Sequence, residues 1–365
     1  SSVLSSVLNV RGKFFLPSFL SVILNIFMIV TLVSFKSNSH FPLAWSMIIA
    51  GFTQLILLFI NLGTIKIFWG IGLKSLKILS RELKKFFGRF LYSLLGSGIV
   101  QLNIFISMLF ASLVGGGAIS QIYYADRIID LPFALIAVAM SFTLLPYLSK
   151  NISDENKNSK AFNETVIFCF LFAIPSSLGI FILSEDIIRV LFGRGEFNNE
   201  DVLITSKILL VYSFSLPAYM LARIFNQVFY SYEKVEYPVK AAVPTFICNF
   251  ILCFLLYRPL GVLGLAISGA VSIWLNLFIQ IFYLRKNFRS FYEKLLIFDF
   301  KKLLKILISA IIMVISILIF KKILDLNIYL DLFIQILIGL IIYFFILKWL
   351  KLNEIKLVFQ LNKFN

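Results

Sequence analysis

Charge is scarce in this chain: 14% of its 365 residues are Asp, Glu, Lys or Arg, against 60% hydrophobic. Soluble globular domains carry about 25% charged residues, so that class is excluded. Histidine occurs once, as His40, and within the apolar runs no carboxylates gather beyond Asp126 and Asp130. A membrane-embedded glycosyltransferase or polymerase would need a general base or a metal cluster, so the sequence argues against an enzyme and offers no metal or organic cofactor site. The three cysteines, Cys169, Cys248 and Cys253, all lie in apolar runs, giving neither a disulfide framework nor a zinc spacing. They read as small buried hydrophobes. The alternating pattern of an outer-membrane barrel is missing as well. The opening "SSVLSSVLNVRGKFF" has no initiator Met and no signal-peptide n-region, and reads as the tail of an earlier helix.

Long apolar runs are what the chain has in quantity. A helix needs about 20 mostly apolar residues to cross about 30 Å of hydrocarbon. Ten segments qualify: 14–34, 42–62, 91–113, 119–146, 164–184, 202–230, 239–257, 262–284, 303–320 and 328–348. The reading is an all-α, polytopic helical membrane protein. Of 34 Lys and Arg, 25 lie in one set of alternate loops; the other set holds six, Lys36, Arg189, Arg194, Arg258, Lys321 and Lys322. The positive-inside rule then places the basic face, and both ends of this chain, in the cytoplasm. Anionic lipid headgroups account for the net charge of +16 without a nucleic-acid partner. Segments 70–90 and 285–302 read as amphipathic stretches on the inner leaflet. The acid-rich 185–201 reads as a short outer surface helix and a Gly turn.

A weak internal repeat is present. Pro17 corresponds to Pro238, Ala44 to Ala266 and Gln54 to Asn276, in the same order and at nearly constant offset. Six spans separate the copies, an even number, so the copies are parallel. A six-helix unit would then run from 91 to 284, with its partner represented by two helices in 1–90 and four spans missing ahead of them. Residues 285–365 form a linker and an appended helix pair.

Full charges more than four residues from the end of a span are few: Asp126, Arg127 and Asp130 in "YYADRIIDLP", and Lys207 and Arg223 further on. Intramembrane ionisable residues generally face a protein interior or a wet cavity. At helical spacing Arg127 can be held by either carboxylate or both. Pro132 removes a backbone donor and clashes with the carbonyl of Ile128, predicting a break beside the cluster; the plainer alternative is an Asp–Arg pair snorkelling at the outer interface. Lys207 lies near enough to the outer edge to snorkel. Arg223 reads either as part of a site shared between helices or as a packing salt bridge to Asp126 or Asp130. Arginine suits phosphate, because its planar fork stays charged and donates in pairs. Two arginines with partly compensating carboxylates can hold a diphosphate and still release it. Amides such as Asn25, Gln54, Gln101, Asn103, Asn249 and Asn276 read as glue between helices.

The stretches "ISQIYYADRIIDLPFALIAVAMSFTLLPYLSK" (119–150), "LNVRGKFFLPSF" (8–19) and "ARIFNQVFYSYEKVEYPVK" (222–240) resemble the MurJ (MviN) family of lipid II flippases, in the multidrug/oligosaccharidyl-lipid/polysaccharide exporter superfamily. The resemblance covers nearly the whole chain and implies a two-lobed exporter of fourteen transmembrane helices, of which these ten would be the fifth to the fourteenth. It implies alternating-access transport of an undecaprenyl-diphosphate-linked peptidoglycan precursor, lipid II, to the outer leaflet of the bacterial cytoplasmic (inner) membrane. The working unit is expected to be a monomer. By the same resemblance the cavity arginine falls on Arg127, with Asp126 before it and Asp130 after it, and a basic residue is common at Arg223; together these are the substrate-binding candidates. The groove of the last helix pair is implied to take the polyprenyl tail. Lys234 and Tyr237 stand where relatives commonly have Asp and Thr. Ser107 stands where sodium-binding members carry Asp, which turns the expectation from sodium coupling to the membrane potential. Export of another lipid-linked oligosaccharide, or of cationic drugs, is the alternative.

Overall fold

The computed structural model describes residues 15–35, 41–62, 98–288, 300–323 and 327–352, together with residues 4, 5, 8 and 291. The segment 70–90 and most of the linker 285–302 lie outside them, as does His40. All regular structure among the described residues is helical. The chain divides into two compact units, Ser1–Phe86 and Phe87–Asn365.

In the first unit α1 (Phe15–Ser34) pairs with α2 (Phe41–Leu62). Leu20, Ile23 and Leu58 are buried between them, and Gln54 Nε2 donates to the Leu20 carbonyl at 2.8 Å.

The second unit contains α3 (Gly98–Val114), α4 (Ala118–Lys150), α5 (Glu155–Phe192), α6 (Asn199–Ser231), α7 (Glu236–Asn287), α8 (Phe300–Ile323) and α9 (Ile328–Trp349). Each of the ten predicted spans meets a helix, with 239–257 and 262–284 forming the two limbs of α7. A straight helix of 52 residues would run about 78 Å, far beyond a bilayer. Gly261 breaks it, at φ 57° and ψ −134°, a conformation that is cheap only for glycine. Gly264 then lets the second limb return closely: a Cβ there would sit 2.3 Å from the Leu256 carbonyl oxygen. Asn276 Nδ2 ties the limbs by donating to Thr245 Oγ1 at 3.1 Å. Gln54 and Asn276, the amides matched by the repeat, thus each bond to the preceding helical segment.

The outward faces are built for lipid. Leu135, Phe142, Phe254 and Phe345 are 60% to 73% exposed, and apolar surface on that scale marks contact with hydrocarbon. Inside, buried hydroxyls turn back on their own helices: Thr245 donates to the Ala241 carbonyl, Ser268 to Gly264 and Ser272 to Ser268.

Prolines inside α5 and α6 free carbonyls that neighbouring helices satisfy. Pro175 has no N–H for the Leu171 carbonyl four residues earlier; the Tyr343 hydroxyl of α9 donates to it at 2.6 Å. Pro217 likewise leaves the Ser213 carbonyl, which accepts from Ser177 Oγ of α5 at 2.6 Å. Such re-satisfaction is what makes proline tolerable at membrane depth. Helix α6 is the hub, with Leu209, Leu216, Met220, Ile224 and Val228 buried against α4, α5 and α7. Helices α8 and α9 pack on α5 around Leu171, Ile306, Met313 and Leu347.

One predicted element is redrawn. Residues 185–192 are no separate surface helix; they continue α5. The Glu185–Arg189 pair at 2.9 Å supports that last turn, and the Asp186 carboxylate pairs with Lys321 of α8. A turn with Gly195 at φ 64° follows. Asn198 and Asp201 then form a capping box that starts α6. At the other end of α5, Asp154 caps the helix by accepting from the Lys157 backbone N–H at 3.1 Å. That hydrogen bond holds its carboxyl below the ordinary carboxylate value.

Candidate functional site

At about 100° per residue, positions 118–132 of α4 divide into three arcs. Ala118, Ile122, Ala125 and Ile129 are buried in the core. Asp126, Arg127 and Asp130 occupy a second arc. Ile128, Leu131 and Pro132 form a third, beside the charges, and line an apolar groove.

In the charged arc Arg127 pairs with one carboxylate, Asp130, at 3.5 Å, and its side chain stays 56% exposed. The guanidinium also lies over the Tyr123 ring, 4.5 Å from the centroid, a cation–π contact. A guanidinium has five N–H donors, so most of its capacity stays open. Asp126 makes no hydrogen bond or ion pair among the described residues, although it stands within electrostatic range of Arg127 and Asp130. The cluster is therefore an exposed guanidinium with donors to spare, flanked by two acids of which one is paired with it.

The α-helical ladder is interrupted at Pro132, as predicted, but the helix does not end there. The backbone continues as a π-helical segment, Phe133–Val138, in which the wider turn absorbs the missing donor. The Phe133 N–H is shared between the Ile129 and Asp130 carbonyls. Short π segments inside helices are frequent at functional sites. Phe133 itself stacks on Tyr219 of α6, with centroids 3.9 Å apart and planes 11° apart. Tyr219 stands within electrostatic range of Asp126, Asp130 and Arg223, so it lies between the charged arc and Arg223.

Arg223 is placed elsewhere than Arg127. It lines a cavity of about 750 Å³ formed by α3, α4, α6 and both limbs of α7, together with Phe133, Tyr219, Asn226, Tyr230 and Gln280. None of Asp126, Arg127 and Asp130 lines that cavity, and Arg223 pairs with none of the described carboxylates. The packing salt bridge from Arg223 to Asp126 or Asp130 is thus not formed. Lys207 is exposed on α6.

Ser107 joins a neutral cluster. Its hydroxyl donates to the Asn103 carbonyl at 3.1 Å, while Asn249 Nδ2 reaches Asn103 Oδ1 at 2.7 Å and Ser107 Oγ at 3.3 Å. Cys253 Sγ donates to Asn249 Oδ1 at 3.6 Å. Asn103 and Asn249 do act as interhelical glue, joining α3 to α7.

The apolar groove, about 290 Å³, runs between α4, α5, α8 and α9. Besides the α4 residues its walls include Pro175, Gly179, Ile317, Gly339 and Tyr343. Gly339 lets α8 come close to α9 here, since a Cβ would lie 2.9 Å from Ile317 Cδ1. Sequence spacing missed Phe133, Tyr219 and Gly339, which carry no charge. Gln280 and Asn226 were detectable as polar residues within apolar runs.

A sequence model of the family described as lipid II flippase MurJ matches residues 1–338. The probable lipid II flippase MurJ of Buchnera aphidicola subsp. Schizaphis graminum (strain Sg) is 34% identical over 321 residues, covering 85% of this chain and 61% of the relative. That of Aquifex aeolicus (strain VF5) is 38% identical over 239 residues, covering 65% and 46%. Among solved structures, lipid II flippase MurJ in its inward closed conformation superposes with a TM-score of 0.76 at 27% identity, covering 94% of this chain and 69% of that one. The chain spans about half the length of the curated relatives it matches.

Proposed function

Because this chain belongs to the lipid II flippase MurJ family, we propose that it serves a multi-pass transporter, not an enzyme, that moves an undecaprenyl-diphosphate-linked peptidoglycan precursor across the bacterial cytoplasmic membrane. The observation that carries the reading is the division of α4. Arg127 offers an open guanidinium on one arc, while Ile128, Leu131 and Pro132 wall an apolar groove on the next. A lipid diphosphate is an anion joined directly to hydrocarbon, and this surface presents the matching pair side by side. Arg127 grips the diphosphate by its fork, Asp130 moderates the grip, and the groove seats the start of the tail. A ligand drives alternating access only by binding one conformer better than the other; a diphosphate drawing elements together around Arg127 supplies that preference.

The transporter acts as a monomer with its C-terminus in the cytoplasm, an orientation supported by the excess of basic residues in one set of loops. The membrane potential drives it, each charge moved being worth about 2.3 kcal/mol per 100 mV. The neutrality of the Ser107 cluster supports this over sodium coupling.

The test is complementation of a flippase-depleted strain by the full-length protein, with precursor exposure at the outer face as the readout. Arg127→Ala should abolish both growth and exposure; normal growth would sink the assignment. Exchanging sodium for potassium should leave exposure unchanged, and an ionophore that collapses the potential should stop it.

A further inference from the structure

A third cavity, of about 560 Å³, opens where the start of α4, the turn after α5 and the start of α6 meet. It shares no lining residue with the Arg223 cavity or with the apolar groove. The turn belongs to the set of loops poor in Lys and Arg, so in the orientation proposed above the cavity faces the outside.

Its wall holds a buried polar atom that nothing in the protein answers. Gln121 is 3% exposed. Its amide N–H donates to Asp201 Oδ1 at 2.9 Å, while its Oε1 is buried without a hydrogen-bond partner among the described residues. Leaving such an acceptor unmade costs about 1–3 kcal/mol, which marks the place of a polar ligand. Gln121 keeps a second amide hydrogen as well, so the charges around it decide what that ligand is.

Those charges are of both signs and are held apart. The N-terminus of α4 has Gly117 as its N-cap and no capping side chain. Of its first three N–H groups, only that of Ala118 has a backbone acceptor among the described residues, so the positive end of the helix stays open. Arg194 and Glu196 flank Gly195 in the turn; both are exposed and neither forms an ion pair among the described residues. Asp201 adds a carboxylate already engaged by Gln121 and by the capping box. A simple cation meets Arg194 and the helix end; a simple anion meets Glu196 and Asp201. A molecule carrying one charge of each sign meets neither conflict. The rest of the wall is aromatic: Tyr124 stacks on Phe192 with centroids 4.5 Å apart, and Phe197 stands edge-on to Tyr124 at 5.5 Å.

We propose that this cavity binds a free α-amino acid with an apolar or aromatic side chain. The carboxylate lies against the α4 N-terminus and Arg194. The ammonium faces Glu196 and donates to Gln121 Oε1, and the side chain rests on the rings of Tyr124 and Phe197. A volume of about 560 Å³ is in the range of small-molecule sites. The ligand touches three segments at once, so its binding favours the conformer in which they meet. The inference goes beyond the flippase reading and uses none of the residues assigned to it.

The test is calorimetric binding to the full-length protein in lipid nanodiscs, with phenylalanine, phenethylamine and 3-phenylpropionate as separate probes. Phenylalanine should bind, and the two analogues, each lacking one charged group, should bind at least tenfold more weakly. Arg194→Gln and Glu196→Gln should each weaken phenylalanine about tenfold. Gln121→Leu should weaken it as well; where that variant fails to fold, the two exposed positions decide. No binding of phenylalanine, equal binding of either analogue, or unchanged binding in folded Arg194→Gln or Glu196→Gln overturns the site. Arg127→Ala should leave phenylalanine binding unchanged, so that failure of the flippase reading and failure of this site are read separately.

Discussion

Replacing Tyr343 by Phe removes one oxygen from a residue that is 1% exposed, and leaves the Leu171 carbonyl without its donor. An ordinary hydrogen bond contributes about 0.5–1.5 kcal/mol net, whereas a buried acceptor left unmade costs about 1–3 kcal/mol. The larger figure applies here, because Pro175 has already removed the backbone N–H that would serve Leu171. Pro175→Ala restores that N–H. In the Pro175→Ala background Tyr343→Phe should therefore lose no more than about 0.5 kcal/mol, giving a coupling of about 1–2 kcal/mol in the double-mutant cycle. The measurement is thermal unfolding in detergent with a thiol-reactive fluorogenic dye. Cys169, 0% exposed and two residues from Leu171, reports the opening of α5. The partly exposed Cys248 and the buried Cys253 of α7 are first replaced by Ser. An equal loss in both backgrounds would refute the argument that the tyrosine substitutes for a donor that proline removed.

Four further outcomes are open to measurement. Gly264→Ala, whose Cβ would lie 2.3 Å from a backbone oxygen, should lower the melting temperature by several degrees, as overpacking costs about 1–3 kcal/mol. Gly269→Ala, with nothing within 4 Å, should instead stabilise slightly, by about 0.5–1 kcal/mol. Gly339→Leu should fill the apolar groove and abolish complementation while the protein still reaches the membrane; wild-type growth would detach the groove from transport. Asp154→Ala should lower stability at neutral pH and make it less sensitive to acid. The Asp154 carboxyl is held below its ordinary 3.8 by the Lys157 backbone N–H, so its contribution is complete above that value and fades as pH falls through the lowered one.

The spans were legible because apolar runs of membrane length leave few alternatives. The end of α5 was not. The acid-rich stretch reads as a short surface helix of its own; that it continues α5, with Asp186 paired to Lys321, 135 residues away, is not visible in local spacing. Pro132 was legible as a disturbance, but whether a helix kinks or widens into a π segment depends on neighbours such as Tyr219. The charged arc followed from helical spacing, including the Arg127–Asp130 pair. The separation of Arg223 from that arc did not, since spacing along one helix says nothing of distance to another. Nor did sequence reveal that Tyr343 and Ser177 answer Pro175 and Pro217. Each partner lies on a different helix from its proline.

If α4 binds a lipid diphosphate as proposed, its neighbouring arcs also act as a ruler. Arg127 and Leu131 are four residues apart, about 6 Å along the axis. What that interval measures in a bound amphiphile is the junction where charge gives way to hydrocarbon. Neither the length of the tail nor the size of the sugar is gauged there. Lipids with longer or shorter chains should therefore be accepted alike, and a spacer inserted between phosphate and hydrocarbon should be refused.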